Sequence, residues 1–232
     1  IGIALNALFT AIEFVYGQIY GSLALIADAT HNLGDVVSLI IALIGLKLAR
    51  SAENLSFTYG FKKASVLASL INSVILIILV ITIFKEGIER LGTHPDVPGG
   101  IIIITALIGV VVNMISAYLF YRDQKSDINV KGAYLHLFLD MLVSVGVVIS
   151  GIIIYFTGWS VIDAVVSLVI GVVILGSTWS LFRESLKLSL DGTPRNVDFD
   201  EVRKTIEKQR GVSEVFHIHI WALSSTTNAL SA

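Results

Sequence analysis

The sequence predicts an all-α transmembrane bundle of six helices, followed by a short cytoplasmic α/β segment. Hydrophobic residues make up 55% of the 232 residues and charged residues only 15%, and the mean hydropathy is +0.83. A soluble domain carries about 25% charged residues, so this chain has too few for a surface that faces water. Six apolar segments, each about as long as a bilayer-crossing helix, account for most of the chain.

Charge and cysteine content narrow the function classes. The formal net charge is -2, so there is no basic excess of the kind that binds nucleic acid. Cysteine is absent, which excludes disulfides, thiolate metal sites and cysteine nucleophiles. The lipid bilayer is therefore an expected partner, and nucleic acid is not.

The six predicted spans form the first domain, residues 1–184. The third and fourth carry no charged residue, whereas the second and fifth contain both His and Asp. In chain order the spans are Ile1–Tyr20, Ser22–Leu46, Ala64–Phe84, Val97–Tyr121, Val130–Phe156 and Trp159–Phe182.

Positive charge sets the expected orientation. Lys and Arg cluster in the second and fourth connections and after the sixth span, at Lys47, Arg50, Lys62, Lys63, Arg122, Lys125, Lys131, Arg183 and Lys187. Loops rich in Lys and Arg stay in the cytoplasm, so both termini are expected there, and a bacterial inner membrane is the expected location. The chain begins without Met inside an apolar span, so we expect that the natural start is missing.

Residues 185–232 are mixed polar and charged and predict an incomplete α/β domain. Asp198 is the predicted N-cap of a helix that carries Val202 and Ile206 on one face. Residues 212–222 then predict a strand, and residues 224–228 a turn before a second strand. One helix and two short strands cannot bury a core alone, so more chain or a partner is expected.

The strongest chemical signal is a pair of identical motifs within the membrane. The second span contains His31 and Asp35, and the fifth contains His136 and Asp140. An i,i+4 spacing places the imidazole and the carboxylate on one helix face. Two such faces opposed supply two nitrogen and two oxygen ligands, which suits tetrahedral zinc.

The depth of these residues supports a shared site. At 1.5 Å per residue, His31 and Asp35 lie about 14 and 20 Å from the outer end of their span. His136 and Asp140 lie about 9 and 15 Å from the cytoplasmic end of theirs. In a hydrocarbon core about 30 Å thick, the two pairs overlap near the midplane.

Two other interpretations of these residues stay open at this point. A single intramembrane His or Asp can serve as a hydrogen bond between helices. A carboxylate beside a histidine can also relay protons without metal.

The metal interpretation predicts transport. Metal held at the midplane, and reached from one side at a time, is characteristic of secondary transporters. Zinc needs neutral imidazole and ionised carboxylate, so protons compete for the same four groups. Histidine titrates near pH 6.5 when unperturbed, which favours exchange of metal for protons. Zinc is then the substrate and no cofactor is expected; Cd²⁺ and other divalent metals rank below it.

Other ionisable residues are weaker candidates. Glu13, Asp28 and Asp163 could line a hydrated path, and for Asp28 and Asp163 we favour capping or interfacial roles. His217 and His219 alternate along the predicted strand and so would share a face, which makes them candidate ligands of a regulatory metal.

Two competing function classes remain. An intramembrane metalloenzyme would need an open coordination position at zinc, or the many histidines of a desaturase-like oxidase, and the chain has only five. A passive divalent-metal channel would conduct without proton coupling, and only an experiment separates it from an exchanger. The expectation is that the chain is not an enzyme.

Several motifs resemble the cation diffusion facilitator family. Gly21–Ala29, followed by His31 and Asp35, is similar to the family's second span, and Asn129–His136 with Asp140 to its fifth. Asp191–Pro194 and residues 211–221 resemble its cytoplasmic domain. The resemblance covers nearly the whole chain.

The resemblance implies six helices per protomer, a homodimer and a metallochaperone-like cytoplasmic domain. Carried over by position, it implies a zinc transport site at His31, Asp35, His136 and Asp140. Two departures from the family pattern stand out. Phe216 occupies a position where the family commonly has His. In the loop before the third span, Lys63 and Ser65 replace the family's Arg and Glu.

Overall fold

Helices dominate the chain, with one small sheet at its end. The computed structural model describes residues 2–49, 56–93, 96–121 and 128–232. The helices are α1 (Gly2–Tyr20), α2 (Leu23–Ala49), α3 (Ala64–Arg90), α4 (Gly99–Tyr121), α5 (Ile128–Thr157), α6 (Val161–Ser189) and α7 (Phe199–Glu207); the strands are β1 (His219–Ala222) and β2 (Asn228–Ser231).

Four of the helices are long and apolar enough to cross a membrane. Within the described residues these stretches are Ala64–Arg90, Gly99–Leu119, Tyr134–Thr157 and Val161–Ser189. These four helices confirm the expectation of a multi-pass membrane protein, while the prediction that α1 and α2 also cross the membrane stays a prediction. Arg50, Arg122 and Lys125, which contributed to the expected orientation, lie outside the described residues.

The chain divides into two compact units. The first comprises residues 1–36 and 76–177, and the second comprises residues 37–75 and 178–232. The predicted boundary near residue 184 is not tested by this division, because α2, α3 and α6 each contribute to both units.

The first unit has an aliphatic core. Leu23, Leu25, Val80, Ile102 and Val147 are among its fully buried members. A Cβ on Gly99, at the start of α4, would lie 2.6 Å from the carbonyl oxygen of Gly151 in α5. Only glycine permits this approach, so α4 and α5 pack backbone to backbone at this point.

The start of α2 is held by a side chain from another helix. Asp163, near the start of α6, accepts hydrogen bonds from the backbone N–H of Leu23 at 2.6 Å and of Ala24 at 3.3 Å. It also accepts one from the hydroxyl of Ser22 at 2.7 Å. These amides are among the four that have no partner within a helix. The capping role expected for Asp163 is confirmed, although the helix that it caps is α2.

Glycine makes the tight connection between α1 and α2 possible. Gly21 has a φ of 67°, a left-handed conformation that residues with a Cβ adopt only at a cost. Arg90 donates a hydrogen bond to the carbonyl oxygen of Gly21 and pairs with Glu86 one turn earlier in α3.

The second unit contains α7 and an antiparallel hairpin. The carboxylate of Asp198 accepts from the backbone N–H groups of residues 200 and 201, which confirms it as the N-cap of α7. β1 pairs with β2, with Ile220 opposite Leu230. Lys63 forms an ion pair with Asp191 in this unit, and Arg195 with Glu184 at 2.7 Å.

The strand predicted over residues 212–222 is wrong in its first part. Only His219–Ala222 is a strand. His217 has a φ of 51°, and this left-handed backbone interrupts an extended chain. His217 and His219 therefore do not alternate along one strand, and the predicted shared face is not formed.

Candidate metal centre

Side chains from α2 and α5 meet within the first unit. His31 Nε2 lies 3.0 Å from Asp140 Oδ1, at hydrogen-bonding distance. His136 Nε2 lies 3.3 Å from Asp35 Oδ2 and 3.7 Å from Asp140 Oδ2. The two imidazole rings are 6.2 Å apart between centroids and nearly perpendicular. Each histidine is thus paired with an aspartate of the other helix.

Helical periodicity explains how the pairs form. In each motif the four-residue interval places His and Asp one turn apart on the same face. Each pair across the two helices therefore combines an imidazole nitrogen from one helix with a carboxylate from the other. Since a carboxylate offers two oxygens, Asp140 reaches both imidazoles, His31 through Oδ1 and His136 through Oδ2.

Three of the four residues form a compact ligand group. One ligand atom each from His31, Asp35 and Asp140 lie within 4.8 Å of one another. His136 is outside this group, although its Nε2 is close to both aspartates. In a tetrahedral zinc site with bonds of about 2.0–2.1 Å, ligand atoms lie about 3.3 Å apart. The observed separations of 3.0, 3.3 and 3.7 Å bracket that value.

Burial differs across the group. The side chain of Asp140 is 5% exposed and that of His31 is 15% exposed, whereas that of His136 is 48% exposed. Asp140 is therefore the most buried member of the group and His136 the most exposed.

Polar residues that the motifs did not reveal surround Asp28 and Glu13. Ser144 donates a hydrogen bond to Asp28 at 2.8 Å, and Asn32 donates one to Glu13 at 3.3 Å. Asp28 is completely buried within α2, so the capping or interfacial role that we favoured for it is wrong. Nothing in the local sequence pairs Ser144 with Asp28, because 116 positions separate them.

Comparison with known proteins decides the family. A family model described as the cation efflux transmembrane domain matches residues 1–188. The chain belongs to the cation efflux family. This family is the cation diffusion facilitator family of the sequence resemblance, which is thereby confirmed.

Three curated relatives are similar over most of the chain. The cadmium, cobalt and zinc/H(+)-K(+) antiporter of Bacillus subtilis is 37% identical over 96% of this chain and 72% of its own length. The metal cation efflux system protein CzcD of Cupriavidus metallidurans is 38% identical over 100% and 73%. The zinc transporter ZitB of Escherichia coli is 34% identical over 92% and 69%.

Family membership confirms several expectations. The chain is a membrane transporter of metal cations and not an enzyme, so the metalloenzyme alternative is excluded. Metal is accordingly its substrate and not a cofactor. The metal carried, the counter-ion and the ligand set are matters for the proposal that follows.

Proposed function

We propose that this cation efflux protein exports divalent metal, zinc foremost, from the cytoplasm in exchange for protons. The observation that carries the proposal is the convergence of His31, Asp35 and Asp140, with His136 beside both carboxylates. All four are proposed to ligate the transported ion near the membrane midplane.

The charge balance of this ligand set supports zinc–proton exchange. Two neutral imidazoles and two carboxylates carry a formal charge of -2, which one Zn²⁺ neutralises. When the metal leaves, an uncompensated charge of that size within a bilayer is costly. Protons remove the cost by binding the same groups, since imidazole and carboxylate bind either metal or protons.

Alternating access to the group is part of the proposal. His136 is half-exposed while Asp140 is nearly buried, so the carboxylate of Asp140 lies deeper in the unit than the imidazole of His136. In secondary transporters a midplane site opens to one side at a time. The six membrane crossings, the cytoplasmic termini, the homodimer and the bacterial inner membrane belong to the same proposal.

The names of the relatives define which metals to test. The Bacillus subtilis relative is named for cadmium, cobalt and zinc, and the Escherichia coli relative for zinc alone. Imidazole is well suited to zinc, but affinity alone seldom determines metal choice. Zinc, cadmium and cobalt are therefore compared directly.

The test measures metal uptake into proteoliposomes with and without an imposed pH gradient. We expect zinc uptake to follow the proton gradient, and Asp35→Ala and Asp140→Ala each to abolish it. Glu89→Ala, an exposed carboxylate outside the centre, is the matched control and should transport normally. Equal zinc movement without any gradient would show a channel, and normal transport by both aspartate variants would refute the proposed ligands.

A further inference from the structure

A second pair of acidic side chains lies in the same unit, outside the metal centre. Glu13 of α1 and Asp28 of α2 are both 0% exposed. We call them the inner carboxyl pair. Among the described residues, neither forms a hydrogen bond or an ion pair with His31, Asp35, His136 or Asp140.

The hydrogen bonds of the inner carboxyl pair are incomplete. Asn32 Nδ2 donates to Glu13 Oε2 at 3.3 Å, and Ser144 Oγ donates to Asp28 Oδ2 at 2.8 Å. The other oxygens, Glu13 Oε1 and Asp28 Oδ1, have no donor among the described residues. Asn32, which is 1% exposed, also has no hydrogen-bond donor at its Oδ1 atom. Three buried oxygens in this cluster are thus left without a hydrogen-bond donor among the described residues.

The charges around the pair favour occupancy by a cation. The two carboxyl groups interact directly with each other, and Asp28 also experiences the charges of His31 on α2 and Asp140 on α5. Neither carboxyl pairs with a Lys or Arg among the described residues. Two buried carboxylates whose charges repel each other, without a Lys or Arg beside them, do not both stay ionised. One proton shared between them supplies the missing donor and removes one negative charge.

We propose that the inner carboxyl pair binds an exchanged proton at a site separate from the zinc ligands. The inference deepens the proposed function and rests on it. With the metal centre empty, the pair holds one proton as an O–H···O hydrogen bond. Zinc bound at His31 and Asp140 adds positive charge near Asp28, so the proton leaves the pair to the water on the open side. When zinc leaves, a proton from the opposite side returns.

This arrangement separates metal binding from part of the proton uptake. Zinc and proton do not compete for the same atoms at the pair, so their coupling there acts through charge. Because zinc and the proton then oppose each other's binding, zinc affinity should rise with pH in part through the pair. Loss of the pair should therefore lower the number of protons exchanged per zinc and make zinc affinity less dependent on pH. Competition at the metal centre alone predicts that both quantities are insensitive to Glu13.

The experiment compares wild type with Glu13→Gln, which has nearly the same shape but cannot ionise. Zinc and proton fluxes are measured together in proteoliposomes, and zinc affinity by titration calorimetry at a series of pH values. We expect Glu13→Gln to move about one proton fewer per zinc, because one titrating pair is lost, and its zinc affinity to depend less on pH. Glu89→Gln, which removes an exposed carboxylate on α3, should match wild type in both.

Infrared difference spectroscopy of the purified full chain gives a readout that is independent of transport. Metal-free wild type should show the carbonyl band of a protonated carboxylic acid, which zinc addition removes. Glu13→Gln should lack that zinc-sensitive band. Asp28→Asn should lack it too, which provides a second variant if the first does not fold.

The outcomes distinguish the inference from the function on which it rests. An unchanged proton count and a persistent zinc-sensitive band in both variants overturn the inference and leave zinc–proton exchange intact. Replacement of proton flux by K⁺ flux that disappears in Glu13→Gln also overturns it, because the pair would then hold a metal cation. If wild type moves zinc without protons, the proposed function fails, and the infrared band alone decides whether the pair holds a proton.

Discussion

Replacing Asp163 tests how α2, which carries His31 and Asp35, is held in place. The carboxylate of Asp163 accepts three hydrogen bonds, at 2.6 and 2.7 Å from Leu23 and Ser22 and at 3.3 Å from Ala24. Asp163 is 1% exposed, so water cannot readily replace its carboxylate as the hydrogen-bond acceptor. An exposed N-cap contributes about 1 kcal/mol, and this buried cap should contribute more.

The magnitude follows from the bonds that are lost. A hydrogen bond to a charged group contributes about 1.5–3 kcal/mol net, and two of the three are short. Partial rearrangement recovers some of that energy, and removing a buried carboxylate relieves its desolvation. We therefore expect Asp163→Ala to lower the free energy of unfolding by about 3 kcal/mol. Asp163→Asn, which keeps an acceptor, should cost about half as much.

The assay is denaturant-induced unfolding in detergent micelles, followed by circular dichroism. Ser22→Ala is the control, because it leaves both backbone bonds to Asp163 and removes only the bonds of the Ser22 hydroxyl, to Asp163 at 2.7 Å and from the backbone N–H of Leu25 at 3.2 Å. Its effect should be about 1.5–2 kcal/mol. The reasoning is refuted if Asp163→Ala costs no more than Ser22→Ala, since the carboxylate would then contribute nothing beyond the hydroxyl of Ser22.

Three further predictions concern packing and the metal centre. Gly99→Leu should destabilise the chain by at least about 2 kcal/mol, because a Cβ there would lie 2.6 Å from the carbonyl oxygen of Gly151. Gly146→Ala is the control and should change thermal unfolding little, because its added Cβ meets nothing within 4 Å. Asp140→Asn should weaken zinc binding, measured by calorimetry, by more than about 100-fold, because Asp140 contacts both imidazoles. His136→Ala should weaken zinc binding less, because His136 is half-exposed. Equal losses of affinity in the two variants would contradict this ranking. Zinc affinity should fall as the pH is lowered from about 7 to 6, since imidazole must be neutral to bind metal and protons compete for it. An affinity that is constant over this range would contradict histidine ligation.

The sequence predicted the helices of the bundle well because composition determines them. An apolar run of about 20 residues without a strong breaker can satisfy its backbone within a bilayer only as a helix. The observed α3 to α6 begin and end within a few residues of the predicted spans, apart from an extension of α3 to Arg90 and of α6 to Ser189. Those extensions are polar, so hydropathy alone does not show them.

The strand prediction failed over residues 212–218, and the backbone at His217 gives a physical reason. Val212, Val215 and Ile218 favour extended structure, but His217 adopts a left-handed conformation. No propensity scale predicts that a histidine leaves the extended region at this position. β1 is therefore limited to four residues. Its partner β2 begins at Asn228, close to the end of the turn predicted over residues 224–228.

The proximity of the candidate ligands could be predicted, while their surroundings could not. The i,i+4 spacing and matching depth already placed His31, Asp35, His136 and Asp140 together. The inner carboxyl pair depends on which faces of α1, α2 and α5 meet, and local periodicity does not contain that information. Asp28 was misassigned for the same reason, since only the fold shows that Ser144 lies beside it.

Zinc-edge X-ray absorption of the purified chain loaded with zinc tests the proposed ligand set most directly. The account predicts four nitrogen and oxygen ligands at about 2.0–2.1 Å, with the scattering of two imidazoles. His31→Ala and His136→Ala should each remove one imidazole contribution, while His219→Ala, an exposed histidine of the hairpin, should leave the spectrum unchanged. A six-coordinate oxygen environment, or spectra that keep both imidazoles in His31→Ala and His136→Ala, would contradict the proposed metal centre.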